Sequence, residues 1–550
     1  MNIFNTIPRP KVKTTRFNLS HEIKTSVGFG KITPFLNREV MPGDKWNVSN
    51  DFLCRFQPLL APLMHNVDIR TETYFVPYRL IWKDTSDFFT GGKDGTLEPV
   101  KPYVNTTLLA TYAASAPNRK SFFQKGSLWD YFGLPLINNA TTTFPFPPGT
   151  RIDISSFLAY QMIYQEYYRD QNLTDPYFEF PFPSGEIISA PDWDELFQIR
   201  NRCYEKDYFT GCLPFTQRAP QVTIPLSGDE VEISLRDYDG QPLIGRVLGV
   251  DGSPLVTSST LDVGLGSSLR HREPGAPSAS DSVYDPNGTL VMNASQTGIT
   301  IEDLRRSSAL QRLFEVMARG GARYIEMLLN VFGVASSDSR LQRPEYVGGG
   351  KSPLVVSTVL QTSGQFQDGD PVSTTPQGNM SGYGIGGGLN HGCHRYFEEH
   401  GFLLSFMTIR PRTSYQMGLE RQWTRFDRFE YPFPQLANLG EQPVYTRELF
   451  NSATLASNKI FGYVPRYADW KHINSRITGE FRDSLAHWDL TRKFADEPVL
   501  SQDFMEIDQE DANRIFAAGS LTRNQQVIVQ IRNNINCTRR LPKFGVPKLS

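Results

Sequence analysis

The chain has 550 residues, 39% of them hydrophobic, so it can bury a sizeable core, yet no run approaches the roughly 18 apolar residues that a membrane-spanning helix needs. A formal net charge of -2 argues against a protein that binds nucleic acid over its whole surface. Aromatics make up 12%, and 43 glycines and 38 prolines punctuate the sequence, a balance that favours short strands with elaborate loops over helical bundles.

Residues 1–21 carry Arg9, Lys11, Lys13 and Arg16 and no acid; they form a basic arm without the apolar stretch of a secretion signal. Trp46, Val48, Phe52, Cys54 and Phe56 share one parity, as do Val67, Ile69, Thr71, Thr73 and Phe75, which predicts two half-buried strands. Between the latter, Asp68, Arg70 and Glu72 point to the opposite face, toward solvent, a neighbour or another layer. Residues 83–210 read as a helical and loop insertion, with a helix over 154–169 that packs Phe157, Leu158, Tyr164 and Tyr167. Residues 221–226 are a further strand candidate. From 227 to 298 Gly, Ser, Asp and Pro dominate and Tyr238 and Tyr284 are the only aromatics, so little core can form there. Val231, Ile233 and Leu235, followed by Asp239 and Gly240, suggest a small local hairpin within it.

Residues 300–333 predict a helix pair. Thr300 and Asp303 have the spacing of a capping box, and apolar residues recur at three- and four-residue intervals on each side of Gly320 and Gly321, giving each helix one buried face. The stretch from about Gly348 to Gly392 reads as a Gly/Ser/Gln-rich loop or an inter-subunit strap. Strands are expected at 402–410 and 526–532, so the pieces of one sheet are spread over the chain and must pair non-locally in antiparallel fashion. Residues 512–550 form a basic C-terminal strand and tail with Arg514, Arg523, Arg532, Arg539, Arg540, Lys543 and Lys548 and no acid. The two ends hold eleven of the 56 basic residues; if both face one side, that side attracts phosphate.

Candidate chemistry is thin. GGGKS at 348–352 mimics the end of a phosphate loop, but Glu345 occupies the first required glycine position and Pro353 discourages the helix that must follow. GYGIGG at 382–387 matches a dinucleotide fingerprint without the preceding strand, so a flexible loop accounts for it better. His391, Cys393, His394 and His400 do not have the spacing of a zinc finger. Asp192, Asp194 and Glu195, or Glu398 and Glu399, read as helix-start and surface charges rather than an acid–base pair. Five cysteines form no regular framework, which argues against a disulfide scaffold. Arg421, Trp423, Arg425, Phe426, Arg428 and Tyr431 interleave cations and aromatic planes; this suits stacking on unpaired bases or, more strongly, a subunit contact in which Asp427 and Glu430 pair with the arginines.

Blocks in one order along the chain resemble the major capsid proteins of the Microviridae, the gokushovirus-like single-stranded-DNA phages. They are RFNLSHE at 16–22, VMPGD at 40–44, YFVPYRLIW at 74–82, YQEYYRDQNL at 164–173, DYFTGCLP at 207–214, ARGGARY at 318–324 and LQRPEY at 341–346. RPRTSYQ at 410–416, LGEQPVY at 439–445, FGYVPRY at 461–467 and ITGEFR at 477–482 continue the series, while the spacers match far less well. The resemblance implies one eight-stranded antiparallel jelly roll with long insertions, copies of which build a T=1 icosahedral shell around circular single-stranded DNA in the bacterial cytoplasm. It places a variable protrusion at 227–298, where Tyr238 and Tyr284 become candidates for contact with a host receptor. It makes Arg9, Lys11, Lys13, Arg16, Arg532, Arg539, Arg540, Lys543 and Lys548 candidates for DNA contact, and Arg421, Trp423, Arg425, Phe426 and Tyr431 candidates for the subunit interface. Partners are further copies, viral DNA and other viral structural or scaffolding proteins. Neither enzyme activity, metal, cofactor nor membrane insertion is expected. The rival is an extracellular carbohydrate-binding or glycoside-processing β protein, which abundant aromatics and scattered carboxylates suggest and the missing export sequence disfavours.

Overall fold

The computed structural model describes residues 13–138, 143–188, 190–220, 301–320, 323–360, 380–416, 418–452, 459–517 and 525–544, with short strands inside 234–291 and 366–371. The protein is mainly β. Strands β1 (Thr15–Asn18), β2 (His21–Val27), β3 (Thr33–Val40), β4 (Lys45–Phe56) and β5 (Val67–Pro77) are followed, after the long insertion, by β6 (Glu345–Pro353), β7 (Val355–Leu360), β8 (Met380–Tyr396) and β9 (Gly401–Pro411). Then come β10 (Glu441–Tyr445), β11 (Ile460–Pro465) and β12 (Val527–Arg539). One sheet has the order β1-β12-β4-β8-β7, with β2 also on β12; a second has the order β6-β5-β9-β3; all these pairings are antiparallel. β12 runs on to Arg539, well past the predicted end at 532, because it pairs with β4 as far as Thr538 and with β1 as far as Arg539.

The predicted alternation in β4 holds: Trp46, Val48, Phe52, Cys54 and Phe56 are buried. They meet Ile69, Phe75, Leu403, Met407 and Ile409 of the second sheet in one core, so the two sheets form a β-sandwich. The far face of the second sheet is covered as well, which is why every residue of β9 is buried. Helices α1 (Thr106–Ser115) and α2 (Ser155–Ile163), the latter continued by a wider turn over Tyr164–Tyr168, lie in an aromatic core with Tyr74, Val76, Phe402, Leu404 and Phe406. Arg70 and Glu72 therefore face another protein layer, pairing with Glu205 at 3.4 Å and Arg202 at 2.6 Å, while Asp68 pairs with Lys351 of the neighbouring strand β6 at 2.7 Å. A third core gathers Phe209, Tyr415, Val444, Phe461, Val464 and Phe504 around the β10–β11 hairpin.

The glycine-rich stretch is where the structure departs most from expectation. Residues 348–392 are not a loop in their described parts: Gly348–Gly350 lie within β6 and Gly382–Gly388 within β8, on different sheets. A Cβ on Gly348 would run into the Gly392 carbonyl, and one on Gly350 into the Asn390 side chain. Glycine here permits two sheets to touch backbone to backbone, at the cost of propensity, which is why pattern reasoning saw a loop.

Residues Gln217–Val316 form a compact unit apart from Met1–Thr216 with Met317–Ser550. Within it, Ser234–Leu235 pairs with Leu290–Val291 rather than with a local hairpin partner, and Thr260–Val263, Leu269–Arg272 and Asp281–Ser282 make a small sheet. Residues 221–226, Tyr238, Tyr284 and Thr300 lie outside the described residues. The helix pair forms as α3 (Ile301–Gly320) and α4 (Tyr324–Phe332), but against the expectation of a buried face on each, Leu304, Leu310 and Leu313 of α3 are exposed and α4 buries none of its residues.

Candidate assembly and nucleic-acid surfaces

Between β9 and β10 the chain is held in short turns that push rings outward. Asp427 Oδ1 accepts from the Phe429 amide at 3.3 Å, and Glu430 Oε2 accepts from the Phe426 amide at 2.8 Å. These two acids cap the turn and do not pair with the arginines, contrary to expectation, because the free amides of a tight turn are nearer. Arg425 instead pairs with Asp469 and lies 4.5 Å over the Trp470 ring, and Arg421 donates to the Pro443 carbonyl at 2.8 Å, with Glu448 at 3.9 Å. Arg421 and Arg425 are thus engaged within the chain, whereas Arg428 is exposed and lies 4.6 Å over the Phe429 ring; Trp423 is 64% and Phe426 92% exposed, with Phe429, Tyr431 and Ile473 also exposed. Sequence reasoning missed Trp470, which lies some 40 residues away from the Tyr431 ring it joins at 6.2 Å. Exposed rings of this kind are the residue types that protein contacts use, and with Arg421 and Arg425 already spent and Arg428 the one exposed arginine of the run, the surface suits a protein partner better than a phosphate backbone.

The predicted basic ends are brought together. Thr15 faces Arg539 and Arg16 faces Thr538 in the register of β1 with β12, so both acid-free segments end at one corner of the first sheet. Lys13, Arg16, Arg540 and Lys543 are exposed there. Lys45, opposite Thr538, and Tyr396, opposite Lys45, extend the corner and were missed, since neither stands in a charge run. Arg539 is otherwise engaged: its Nε donates to the fully buried Asp44 at 3.0 Å and its guanidinium sits over Trp46. Arg532 is exposed further along β12, in register between Asp51 and Glu22. Arg9, Lys11 and Lys548 lie outside the described residues.

The alternatives lose their chemistry. Asp194 is held by Arg119 at 2.9 Å and by the Tyr112 hydroxyl at 2.6 Å, and Glu195 and Glu399 pair with Arg200 and Arg79. Lys351 of the GGGKS stretch is spent on Asp68. His400 stacks on Phe89 at 3.9 Å, Cys393 is buried, and no group of side chains among the described residues is arranged to hold a metal ion. The described cysteines are all free thiols, and no described helix is long and apolar enough to cross a membrane.

A two-sheet sandwich that turns neutral aromatic platforms outward defines a structural subunit built to meet other proteins. The chain belongs to the capsid protein (F protein) family, whose model matches residues 5–549. It is 31% identical to capsid protein VP1 of Chlamydia phage 1 over all of this chain and 98% of that protein. It is 32% identical to capsid protein VP1 of Bdellovibrio phage phiMH2K, covering 90% of this chain and 89% of that one, and 29% identical to that of Spiroplasma virus 4, covering 99% and 96%. It is accordingly a structural capsid protein of the virion and not an enzyme, as the sequence blocks implied.

Proposed function

We propose that copies of this chain close a T=1 icosahedral shell around circular single-stranded DNA, with a jelly roll as the building unit. Taking the eight long-range strands, the sheets run β2-β12-β4-β8 and β3-β9-β5-β6, an order that agrees with the paired Greek keys of a jelly roll. The observation that supports the assembly reading is the set of exposed rings Trp423, Phe426, Phe429 and Tyr431, beside which Arg421 and Arg425 are satisfied within the chain. Obligate contacts of this kind commonly bury roughly 2,000 to 5,000 Å². Heterologous contacts about symmetry axes then let many modest interfaces sum to a stable closed particle.

The DNA-facing corner in this reading is Lys13, Arg16, Lys45, Arg540 and Lys543, with Tyr396 offering a ring for stacking. Residues 227–298 face outward and contact the host receptor, a role supported by their poor core-forming composition. Assembly takes place in the bacterial cytoplasm and enlists other viral structural or scaffolding proteins. The test is electron microscopy of the expressed chain with its viral neighbours: uniform small icosahedral particles are expected, and trimers or fibres would contradict the proposal.

A further inference from the structure

We propose that α4 is a preformed docking knob that inserts into a second copy of this chain. This inference rests on membership in the capsid family, and it concerns a surface distinct from the aromatic platform. The sequence of α4, YIEMLLNVF, is apolar on nearly every side, yet Tyr324 is 61%, Leu329 55% and Phe332 65% exposed, and Val331 and the following Val334 are exposed too. A nine-residue helix has too few turns to be stable by itself in water, so something must hold it in this presentation.

Its polar side does so. Arg323, at the helix start, donates to the Gln165 carbonyl at 3.0 Å and lies 3.3 Å from Glu326, which in turn accepts from Gln171 at 2.7 Å. At the other end Gly333 adopts a left-handed conformation at φ 68°, with its amide on the Leu329 carbonyl and the Val334 amide on the Leu328 carbonyl. Asn330 fills the space that a side chain on Gly320 would need, which fixes the end of α3 against α4. The helix is thus held by hydrogen bonds at both ends, with Ile325, Met327 and Leu328 half-buried and Tyr324, Leu329, Val331 and Phe332 left exposed.

The chemistry selects the occupant. Along its whole length α4 carries one charge, Glu326, and no Lys or Arg, so it offers nothing to a phosphate backbone and does not face the genome. A capsid subunit is surrounded by its own copies, and a rigid apolar knob on one flank suits the heterologous contacts by which such copies close a ring. Pre-ordering by the Arg323 and Glu326 clamp lowers the ordering cost of that contact.

The experiment compares the wild-type chain with the Leu329→Glu, Phe332→Glu double variant. The expected result is a subunit with wild-type circular dichroism and melting behaviour whose particle yield falls by about tenfold or more at equal concentration. Wild-type particle yield from the folded variant would overturn the proposal. Failure of the wild-type chain to make particles at all would instead strike at the assembly reading. Should the double variant fail to fold, Phe332→Cys in assembled particles decides, using a short crosslinker with one maleimide arm and one photoreactive arm that needs no second thiol, with wild-type particles as the control for native thiols. Linkage between two copies supports the knob; linkage only to another viral protein, or none, refutes it.

Discussion

The layer beneath the second sheet and the platform after β9 are built from the same residue types and end in opposite states. Beneath the sheet, Glu72 takes two bonds from Arg202, at 2.6 and 2.9 Å, and one from the Tyr168 hydroxyl at 2.5 Å, while Arg202 lies 5.1 Å over the Tyr168 ring; every member is enclosed. On the platform Arg421 and Arg425 are likewise tied to a carbonyl and an acid, but Arg428 and the rings stay outside. Arg–aromatic composition alone does not separate core from interface. What separates them is whether the apolar partner belongs to the same chain; under the proposed function the first region bears on subunit stability and the second on assembly.

Breaking the enclosed layer should have the largest effect. Arg202→Met leaves Glu72 buried without its cation and should cost about 3–5 kcal/mol in urea unfolding of the subunit. Burial pushes the Glu72 carboxyl up, but the charge and hydrogen bonds of Arg202 and the Tyr168 hydroxyl outweigh it and leave its pKa below the usual carboxylate value. Its contribution is therefore present above the ordinary carboxylate range and fades as pH falls through the lowered value; the stability gap between wild type and Glu72→Gln should shrink in acid. Gly348→Ala should come next, at about 1–3 kcal/mol, because the new methyl meets the Gly392 backbone. Trp423→Ser with Phe426→Ser should alter subunit stability by only about 0.5 kcal/mol while lowering particle yield in native gels, which sharpens the contrast. The smallest effect is expected from Arg16→Gln, Arg540→Gln and Lys543→Gln: particles form, and DNA release loses roughly 0.7 of salt slope per lost phosphate contact.

Much of this was legible. Period-two burial exposed β4, and the aromatic run at 421–431 announced a surface, because both signals are local. The two-sheet wiring needed pairs such as Arg16 with Thr538, more than five hundred residues apart, which no local pattern encodes. Gly348 was misread since its reason is a neighbour across the sandwich and Gly384 since its reason is Phe56 on the adjacent strand, while the ion pair of Arg539 with buried Asp44 joins residues far apart in sequence and left no local signal. The exposure of α4 was hidden for a similar reason: an amphipathic pattern says that one face seeks cover and is silent on which chain supplies it.

Hydrogen exchange measured on the free subunit and on the assembled particle tests the central claim most directly, namely that apolar surface left open on one copy is closed by another. Slower exchange in 421–433, 468–474 and 324–334 upon assembly, with unchanged exchange in β5 and β9, is the outcome this account predicts. Equal exchange in those segments in both states would contradict it.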